Sequence, residues 1–427
     1  MKFSFFASLA IAMGFMMSPE SLTILGNYMG QAGIPFVGAL LLAGVFYMIT
    51  AHTFHKAFSL FSGPAGEALL IRQVLGRIPA AVFPLSARVT FALFASTAML
   101  VTAGFVFNEV FVYWFPNFTF AYLLLGFLLV MNLLGQAFAE KLQVFSIIAV
   151  LTGLFALSVI GLATEPTISV EHMKSSTLSL FPAGMYAMLL FIGFDLAFMQ
   201  RIRNSDHVHH SVIPVISGIF LALLIFCLWG LTSVMHVSSG KLAETTIPYT
   251  LAARKIFGQN GRFIMGAVII AGAISVVNAL LLGISRMISG MAKEGLLPTV
   301  LQGTEKRAPV SALAMAIGIA LLMASGIAGE PEIVLYVRAG LLLWLLNYVV
   351  VFLCIILMKS EAQPPGNSSP LGIKLIGFAV SSVVLISLLS TFTNTVALLK
   401  YMLAMLGVWF LLSSAWNFFV SRGRDVS

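Results

Sequence analysis

Residues 14–27 read GFMMSPESLTILGN and lie inside the first long apolar stretch of the chain. Ser18 is a residue type that caps helices, Pro19 suits the first helical position, and Glu20 suits the positive end of a helix dipole. The segment therefore predicts a helix that begins in the middle of a membrane-spanning stretch. In lipid, the backbone groups freed by such an interruption must face a cavity or a ligand rather than hydrocarbon.

The composition of the chain points to a membrane. Of its 427 residues, 60% are hydrophobic and 9% are charged, with a mean hydropathy of +1.03. Apolar runs of about 20 residues, each enough to cross about 30 Å of hydrocarbon, recur along it. Cys227 and Cys354 both fall in such runs, so no disulfide framework is expected. The net charge of +8 is assigned to cytoplasmic loops rather than to a nucleic-acid surface.

Twelve membrane-spanning helices are predicted, because the runs are continuously apolar and do not alternate as the strands of a barrel would. The expected fold class is an all-α membrane protein without a cleavable signal peptide. The predicted spans are 4–30, 34–55, 80–108, 118–138, 141–163, 178–200, 211–236, 262–288, 309–328, 332–358, 371–393 and 398–420.

Two polar connectors suggest an inverted repeat. HKAFSLFSGPAGEALLIRQVLGR at 55–77 and KLAETTIPYTLAARKIFGQNGR at 241–262 are both amphipathic and lie on opposite sides of the predicted membrane. Five spans followed by five that start on the opposite side are typical of secondary transporters. The repeats are placed at 1–163 and 178–358, and two accessory C-terminal helices at 371–420.

Basic residues predict the orientation. Lys and Arg are more numerous in the loops on the side of the N-terminus, so both termini are expected in the cytoplasm and the protein in the plasma (inner) membrane. Arg88 and Arg338 fall within spans. Arg338 is expected to reach outward and pair with Glu330 or Glu332.

The span that opens the second half is interrupted as well. FIGFD at 191–195 places a glycine and an acid at a depth similar to that of residues 14–20. Paired interruptions in corresponding spans are the best sequence pointer to a transporter's binding site. The candidate substrate-binding residues are Met16, Met17, Ser18, Glu20, Ser21, Phe191, Gly193, Phe194 and Asp195.

Glu20 and Asp195 carry the candidate chemistry. A charged side chain at the bilayer centre costs about 2.5–3.5 kcal/mol on insertion scales, so such residues usually serve a function. Each carboxylate either holds an ammonium group or carries a coupling proton. The structural alternatives stay open: Glu20 satisfies its own helix dipole, or Asp195 bonds to the neighbouring break.

Other polar groups give no further site. Asn108 and Glu109 are interpreted as interfacial. The histidines of SDHVHH at 205–210 and the methionines near residue 16 do not form a predicted metal site, because the loop lacks cysteine and methionine is common apolar filler. No catalytic motif is present, so neither an enzyme nor a cofactor is predicted.

Several stretches resemble the amino acid–polyamine–organocation family of secondary transporters. NALLLGISRMISGMAKEGLLP at 278–298 is similar to the end of its helix 8, and KRAPV at 306–310 to the segment that follows. FIGFD resembles its helix 6 break, MNLLGQAFAEKLQ at 131–143 its join of helices 4 and 5, and IPVISG at 213–218 its entry to helix 7. The resemblance implies a leucine-transporter-like fold of two inverted five-helix repeats plus two helices.

Departures from the family's pattern bear on the substrate. The family's glycine-rich helix 1 break holds an amino acid carboxylate on backbone amides. Here Pro19 has no amide and Glu20 repels a carboxylate. The mid-helix 5 lysine of many proton-coupled relatives is missing. Ser275 could serve as the helix 8 hydroxyl that sodium-coupled relatives place against helix 1; the alternative is a serine that bonds to its own helix backbone.

The sequence therefore predicts a secondary active transporter of amino acids or small organic amines that works by alternating access. The coupling ion is H⁺ or Na⁺, with Glu20, Asp195 or Ser275 as its site. An amino acid would use the amides of Ser21 and Leu22, whereas an amine would use Glu20. An acidic substrate is disfavoured because nothing basic is predicted at the site. The alternative is a membrane sensor that binds such a ligand without transporting it; the oligomeric state stays open.

Overall fold

The computed structural model describes residues 2–61, 63–168, 180–200, 212–303, 310–358, 369–392 and 394–424. The predicted histidine cluster at 207–210 and most of the KRAPV segment lie outside these ranges. The α-helices are α1 (Lys2–Gly14), α2 (Pro19–Ala32), α3 (Pro35–Phe58), α4 (Gly66–Leu75), α5 (Arg77–Val106), α6 (Asn117–Leu133), α7 (Gln136–Ala163), α8 (Leu180–Leu189), α9 (Ile213–His236), α10 (Ser239–Glu244), α11 (Pro248–Lys293), α12 (Val310–Ala324), α13 (Glu332–Leu357), α14 (Leu371–Thr391) and α15 (Thr395–Arg424).

The helices fit the predicted spans. Within the described ranges, nine helical stretches are long and apolar enough to cross a membrane, and the bent pair α1 and α2 makes a tenth. The shorter apolar helices α6 and α12 lie at the two remaining predicted spans. The predicted all-α membrane fold is confirmed, whereas the boundaries of the two inverted repeats stay a prediction.

Two long helices form the centre of the bundle. Helix α5 packs against α11, α13, α4 and α6, and α11 packs most extensively against α7. Helix α11 bends at Phe257 and Gly258, where Gly258 has the left-handed φ of 58° that glycine tolerates. The polar connector predicted at 241–262 is therefore α10 followed by the first part of α11. Its counterpart at 55–77 is the end of α3 followed by α4.

The two C-terminal helices lie at the periphery. Helix α14 packs on α13, and α15 packs on α5 and α13. The indole Nε1 of Trp409 on α15 donates a hydrogen bond of 3.1 Å to Thr90 Oγ1 on α5. Few of the described side chains of α15, residues 395–418, are buried. This position fits helices added to the outside of a ten-helix core.

The first span is interrupted where the sequence predicts. Helix α1 ends at Gly14, α2 begins at Pro19, and their axes are bent by 59°. Ser18 has extended backbone angles, and its Oγ accepts a 3.0 Å hydrogen bond from the amide of Ser21. This is an N-cap followed by a proline at the first helical position. The predicted mid-membrane helix start is therefore present.

Candidate functional site

The two helix breaks touch each other. Helix α8 ends at Leu189, the chain turns through Gly193 with a φ of 95°, and a short 3₁₀ helix continues from Phe194 to Gln200. A Cβ atom on Gly193 would lie 2.8 Å from the Cβ of Phe15 in the first break. Only glycine fits at position 193, because the positive φ and the short distance to Phe15 both exclude a residue with a side chain.

Four of the predicted substrate-binding residues lie next to this contact. Met16, Met17, Phe191 and Phe194 are all fully buried. The ring of Tyr47 on α3 lies 6.0 Å from that of Phe191 and 5.6 Å from that of Phe194. The ring of Tyr47 thus lies against the second predicted half of the site, which meets the first half at Gly193 and Phe15.

Glu20 differs from its neighbours in exposure. Its side chain is exposed, whereas Pro19 and Ser21 on either side are buried. Many protein atoms nevertheless surround its carboxylate, and Arg338 lies within electrostatic reach of it. The carboxylate of Glu20 is therefore accessible although its neighbours are buried, and we call the accessible region around it the vestibule. Tyr249 on α11 also lies within electrostatic reach of Glu20.

Aromatic rings flank the vestibule beyond Glu20. Two turns along α2, the ring of Tyr28 stacks on that of Tyr186 from α8, with centroids 4.0 Å apart. The ring of Tyr186 lies 6.3 Å from that of Phe392, and the guanidinium of Arg338 lies 5.0 Å above the same Phe392 ring. These side chains come from the second half of the first span, from the helix before the second break, and from α13 and the α14–α15 connection.

The predicted outward pairing of Arg338 is wrong. Its guanidinium forms no ion pair with Glu330 or Glu332, both of which the structure describes. It lies instead over the ring of Phe392, and its positive charge interacts electrostatically with the Glu20 carboxylate. The ring face attracts the cation, and this contact holds the Arg338 guanidinium beside the α14–α15 connection.

The backbone amides proposed for a substrate carboxylate are already used. The amide of Ser21 donates to Ser18 Oγ, and the amide of Leu22 donates to the Ser18 carbonyl at 3.1 Å. The hydroxyls of Ser18 and Ser21 also hydrogen bond to each other at 2.9 Å. A carboxylate at this helix start would have to compete with the cap.

A group of charged residues lies behind the second break. The guanidinium of Arg88 on α5 contacts the Glu67 carboxylate at 2.6 and 3.0 Å and also pairs with Asp195. Tyr348 donates a 2.5 Å hydrogen bond from its hydroxyl to Asp195, and the amide nitrogen of Asn347 donates to Glu67. All five side chains are buried. We call Glu67, Arg88 and Asp195 the charge cluster.

The charge cluster changes two expectations. Asp195 does bond next to the helix break, but its main partner is Arg88, so its carboxylate is occupied before any substrate arrives. The expectation of a site without a basic residue is wrong, because Arg88 pairs with Asp195 and is only 1% exposed. Sequence reasoning placed Arg88 in a span without giving it a role, and it left Glu67 in a connector.

A network of uncharged side chains forms hydrogen bonds to the end of α1, next to the first break. The side-chain amide nitrogen of Gln143 on α7 donates to the Ala10 carbonyl at 3.1 Å and to Ser275 Oγ at 2.8 Å. Asn278 donates to Gln143 Oε1 at 2.8 Å and accepts from Asn132 at 3.0 Å. We call Gln143, Ser275, Asn278 and Asn132 the amide network.

Ser275 lies against helix 1, at the place that the resemblance implies. Its hydroxyl is 3.5 Å from the Gly14 carbonyl oxygen. The amide nitrogen of Gln143 occupies the same place, since a Cβ on Gly14 would lie 2.8 Å from it. A cation bound between Gly14 and Ser275 would therefore have to displace a hydrogen-bond donor.

The end of α5 has a structural explanation. The Asn108 side chain donates to the carbonyls of Tyr113 and Phe115 at 2.7 and 2.8 Å. The Glu109 backbone carbonyl accepts a 2.9 Å hydrogen bond from Arg262. These contacts hold a turn at the end of the span. They agree with the interpretation of both residues as interfacial.

The comparisons with known proteins identify the family. A model of the amino acid permease family matches residues 3–413. The chain belongs to this family. As an amino acid permease family member it is a multi-pass membrane transporter, and its broken helices and charge cluster are parts of a transport protein. No curated protein sequence matches it.

Solved structures show the same fold. The Eremococcus coleocola manganese transporter in complex with an aromatic bis-isothiourea substituted compound matches with a TM-score of 0.62 and 12% identity. A glutamate-to-glutamine mutant of that transporter matches with a TM-score of 0.64 and 12% identity, and a histidine-to-alanine mutant with 0.63 and 13%. Each match covers 96% of this chain and 94% of the transporter. The likeness extends to the fold alone.

Proposed function

We propose that this chain is a secondary active transporter of amino acids or small organic amines. It works by alternating access in the plasma (inner) membrane with both termini in the cytoplasm. The family supports transport in general, and the two touching helix breaks support a substrate site at the middle of the bundle. Glu20 holds the ammonium group of the substrate.

The exposure of Glu20 is the observation that carries this proposal. Asp195 is buried and paired with Arg88, whereas the Glu20 carboxylate receives no hydrogen bond from a described residue and faces the vestibule. Two unit charges 4 Å apart near a protein surface attract by about 4 kcal/mol. An ammonium group in the vestibule would gain part of this energy from Glu20. The stacked rings of Tyr28 and Tyr186 add faces that attract cations.

A substrate carboxylate has a different partner. Pro19 lacks an amide, and the amides of Ser21 and Leu22 are bonded to Ser18. Arg338 is the basic group within electrostatic reach of Glu20. An amino acid would therefore place its ammonium on Glu20 and its carboxylate towards Arg338, whereas an amine needs Glu20 alone.

Manganese is the cargo named for the structural neighbours, and it is not the cargo proposed here. Among the described residues, no three His, Cys, Asp or Glu side chains come together in a way that could hold a metal ion. Divalent transition metals are usually held by several such ligands. The vestibule offers one carboxylate among aromatic rings, which suits an organic cation better.

Thermal stabilisation of the purified protein tests the substrate class. The ligands are matched pairs of an amino acid and its decarboxylated amine: leucine with isoamylamine, phenylalanine with phenethylamine, and lysine with cadaverine. A ligand at about a hundred times its dissociation constant adds about 2.7 kcal/mol to the folded state. Glu20→Gln should abolish stabilisation by every compound, and Arg338→Met only that by the amino acids.

Glu109→Gln is the matched control, because Glu109 is another exposed glutamate at a helix end and its side chain is not near the breaks. It should leave every affinity unchanged. Unchanged affinity for the amines in Glu20→Gln would remove Glu20 as the counter-ion. Uptake of the stabilising compound into proteoliposomes then separates a transporter from a sensor, since a sensor binds without accumulation.

A further inference from the structure

The charge cluster holds two carboxylates but one guanidinium. Glu67, Arg88 and Asp195 are 7%, 1% and 1% exposed. With both acids ionised the cluster carries a net charge of −1 in the interior of a membrane protein, where an uncompensated charge is strongly disfavoured. One bound proton would make the cluster neutral. The composition of the cluster therefore favours a site that binds a single proton.

Asp195 accepts hydrogen bonds from two buried side chains. Tyr348 donates its hydroxyl hydrogen to Asp195 at 2.5 Å. The same hydroxyl oxygen faces the backbone N–H of Gly193 at 3.5 Å, so its acceptor side is turned to Gly193. Asp195 thus receives hydrogen bonds from Tyr348 and from Arg88.

The surroundings of Glu67 allow either charge state. Its second partner is the side-chain amide of Asn347, whose nitrogen donates to Glu67 while its oxygen, Oδ1, is buried without a hydrogen-bond partner. If this amide turns over, Oδ1 accepts a hydrogen bond from a protonated Glu67. Asn347 can therefore serve the ionised acid with one end and the neutral acid with the other.

Glu67 also has a route to water. A small cleft with room for about one water molecule is lined by Glu67, Asp195, Pro64 and Phe198. Pro64 belongs to the connection between α3 and α4, which the proposed orientation places on the cytoplasmic side. Of the two acids that line the cleft, Glu67 is the more exposed, so we assign to it the exchange of a proton with water.

We propose that Glu67 carries the coupling proton of transport, with Arg88 as its counter-charge and Asp195 as the second acid that shares Arg88. The inference rests on the proposed transport function and names its coupling ion. The proton passes from water in the cleft to a carboxylate oxygen of Glu67, which becomes neutral. It returns from that oxygen to water after the conformational change, so no other reactant is needed.

The cluster is connected to the substrate site by aromatic contacts. Phe15 packs on Gly193 and stacks on Trp344 with ring centroids 6.4 Å apart. The guanidinium of Arg88 lies 5.3 Å from the centre of the Trp344 ring. A substrate that moves the first break against the second therefore also moves the side chain that holds both acids. The amide of Gln143 disfavours the alternative sodium site beside Ser275.

Four other titratable groups lie near the charge cluster. Tyr348 and Tyr47 face Asp195, Cys354 on α13 lies within electrostatic reach of Glu67, and His55 packs on Phe198 at the cleft. Burial raises the pKa of the Glu67 carboxyl above its ordinary value. Arg88 and Asn347 oppose this increase, and Asp195 adds to it.

Infrared difference spectra test the proposal without any substrate. The reconstituted protein is taken from about pH 8 to about pH 5, a range in which ordinary carboxyl groups stay largely ionised. The wild type should show the C=O stretch of one newly protonated, buried carboxyl group. Glu67→Gln should lose this band completely, and the control Glu109→Gln should keep it. A band that survives in Glu67→Gln, or no band in the wild type, overturns the proposal.

Asp195→Asn is a second variant in case Glu67→Gln does not fold. It leaves one acid opposite Arg88, so the cluster is neutral with Glu67 ionised and the band should also disappear. A band that persists in this variant overturns the charge-balance argument. Both variants are compared with the wild type by elution volume and thermal midpoint before the spectra are measured.

Transport then tests the coupling. Labelled leucine and labelled isoamylamine are offered to proteoliposomes with an imposed pH gradient. The wild type should accumulate at least one of them against its gradient, and Glu67→Gln should only equilibrate it by exchange. Accumulation by Glu67→Gln equal to the wild type overturns the proposal. If the wild type transports neither compound, the proposed substrate class fails while the infrared result still decides whether Glu67 binds a proton.

Discussion

The two helix breaks present the same problem to the fold and are stabilised in opposite ways. At the first break, neutral side chains of the amide network bond to the freed carbonyl groups, and the charged residue, Glu20, is exposed. At the second break, the charged residue, Asp195, is buried and balanced by Arg88. The charge of Glu20 at the first break is therefore accessible to a ligand, whereas the charge of Asp195 at the second break is paired within the protein.

This difference separates binding from coupling. An exposed carboxylate can pair with an incoming cation at little desolvation cost, because water already reaches it. A buried carboxylate with fixed partners responds mainly to the gain or loss of a proton, which changes the charge of the whole cluster. Substitutions at the second break should therefore affect stability most, and those at the first break less.

The largest effect is expected from Arg88→Met. This change leaves Glu67 and Asp195 buried next to each other without a counter-charge, and removing one partner of a buried ion pair costs about 3–5 kcal/mol. Unfolding of the purified protein by denaturant in detergent micelles measures the loss. Arg338→Met is the matched control, because Arg338 is only partly buried and its contact with Phe392 is worth about 0.5–1 kcal/mol. Equal losses for the two variants would contradict the role assigned to the cluster.

Gly193→Ala should cause the second-largest loss of stability, because it disrupts the contact between the two helix breaks. The left-handed φ of Gly193 costs a residue with a side chain about 1–2 kcal/mol, and the added methyl group would overlap the Cβ of Phe15. The same denaturation experiment measures the loss. Gly184→Ala in α8 is the control: nothing lies within 4 Å of its added Cβ, so this variant should be neutral or slightly stabilised. A loss as large in Gly184→Ala would mean that the breaks do not touch.

The sequence predicted the breaks but not the partners of their charges. Ser18, Pro19 and Gly193 have local meanings, since caps, proline and glycine act through their own backbone and can be interpreted from neighbouring letters. Apolar runs likewise predicted the spans. Those features depend on a few adjacent residues, and they account for most of the fold.

The charge cluster depends instead on residues far apart in the chain. Glu67 lies in a short helix that resembled a surface connector, and Arg88 lies 107 positions before its partner Asp195. Without the packing of α4 and α5 against α13, nothing indicates that the three meet. A signal was nevertheless present: an arginine near the middle of a span cannot reach the membrane surface, so it must have an acidic partner inside the bundle.

Gln143→Leu should show how strongly the amide network supports the first break. The variant removes the hydrogen bonds that Gln143 makes with the Ala10 carbonyl, the Ser275 hydroxyl and the Asn278 amide, and a lost buried hydrogen bond costs about 1–3 kcal/mol. Thermal midpoints in micelles report the loss. Gln259→Leu is the control, because Gln259 is exposed and such substitutions usually change stability by about 0.5 kcal/mol or less. If Gln143→Leu costs more than Arg88→Met, the proposed ranking of the two breaks is wrong.

The smallest effect concerns the cap that starts α2. Ser18→Ala removes the oxygen that accepts from the Ser21 amide and should cost about 1 kcal/mol, whereas Ser18→Gly should cost only a few tenths because glycine is itself a tolerated cap. The comparison of the two variants isolates the cap from the loss of the hydroxyl contact with Ser21, which both variants share. If Ser18→Gly is as unstable as Ser18→Ala, the bond between the two hydroxyls stabilises the break and the cap does not. The helix start would then depend on Pro19 and on the packing of Met17 against Gly272, where an added Cβ would lie 2.8 Å from the Met17 carbonyl oxygen.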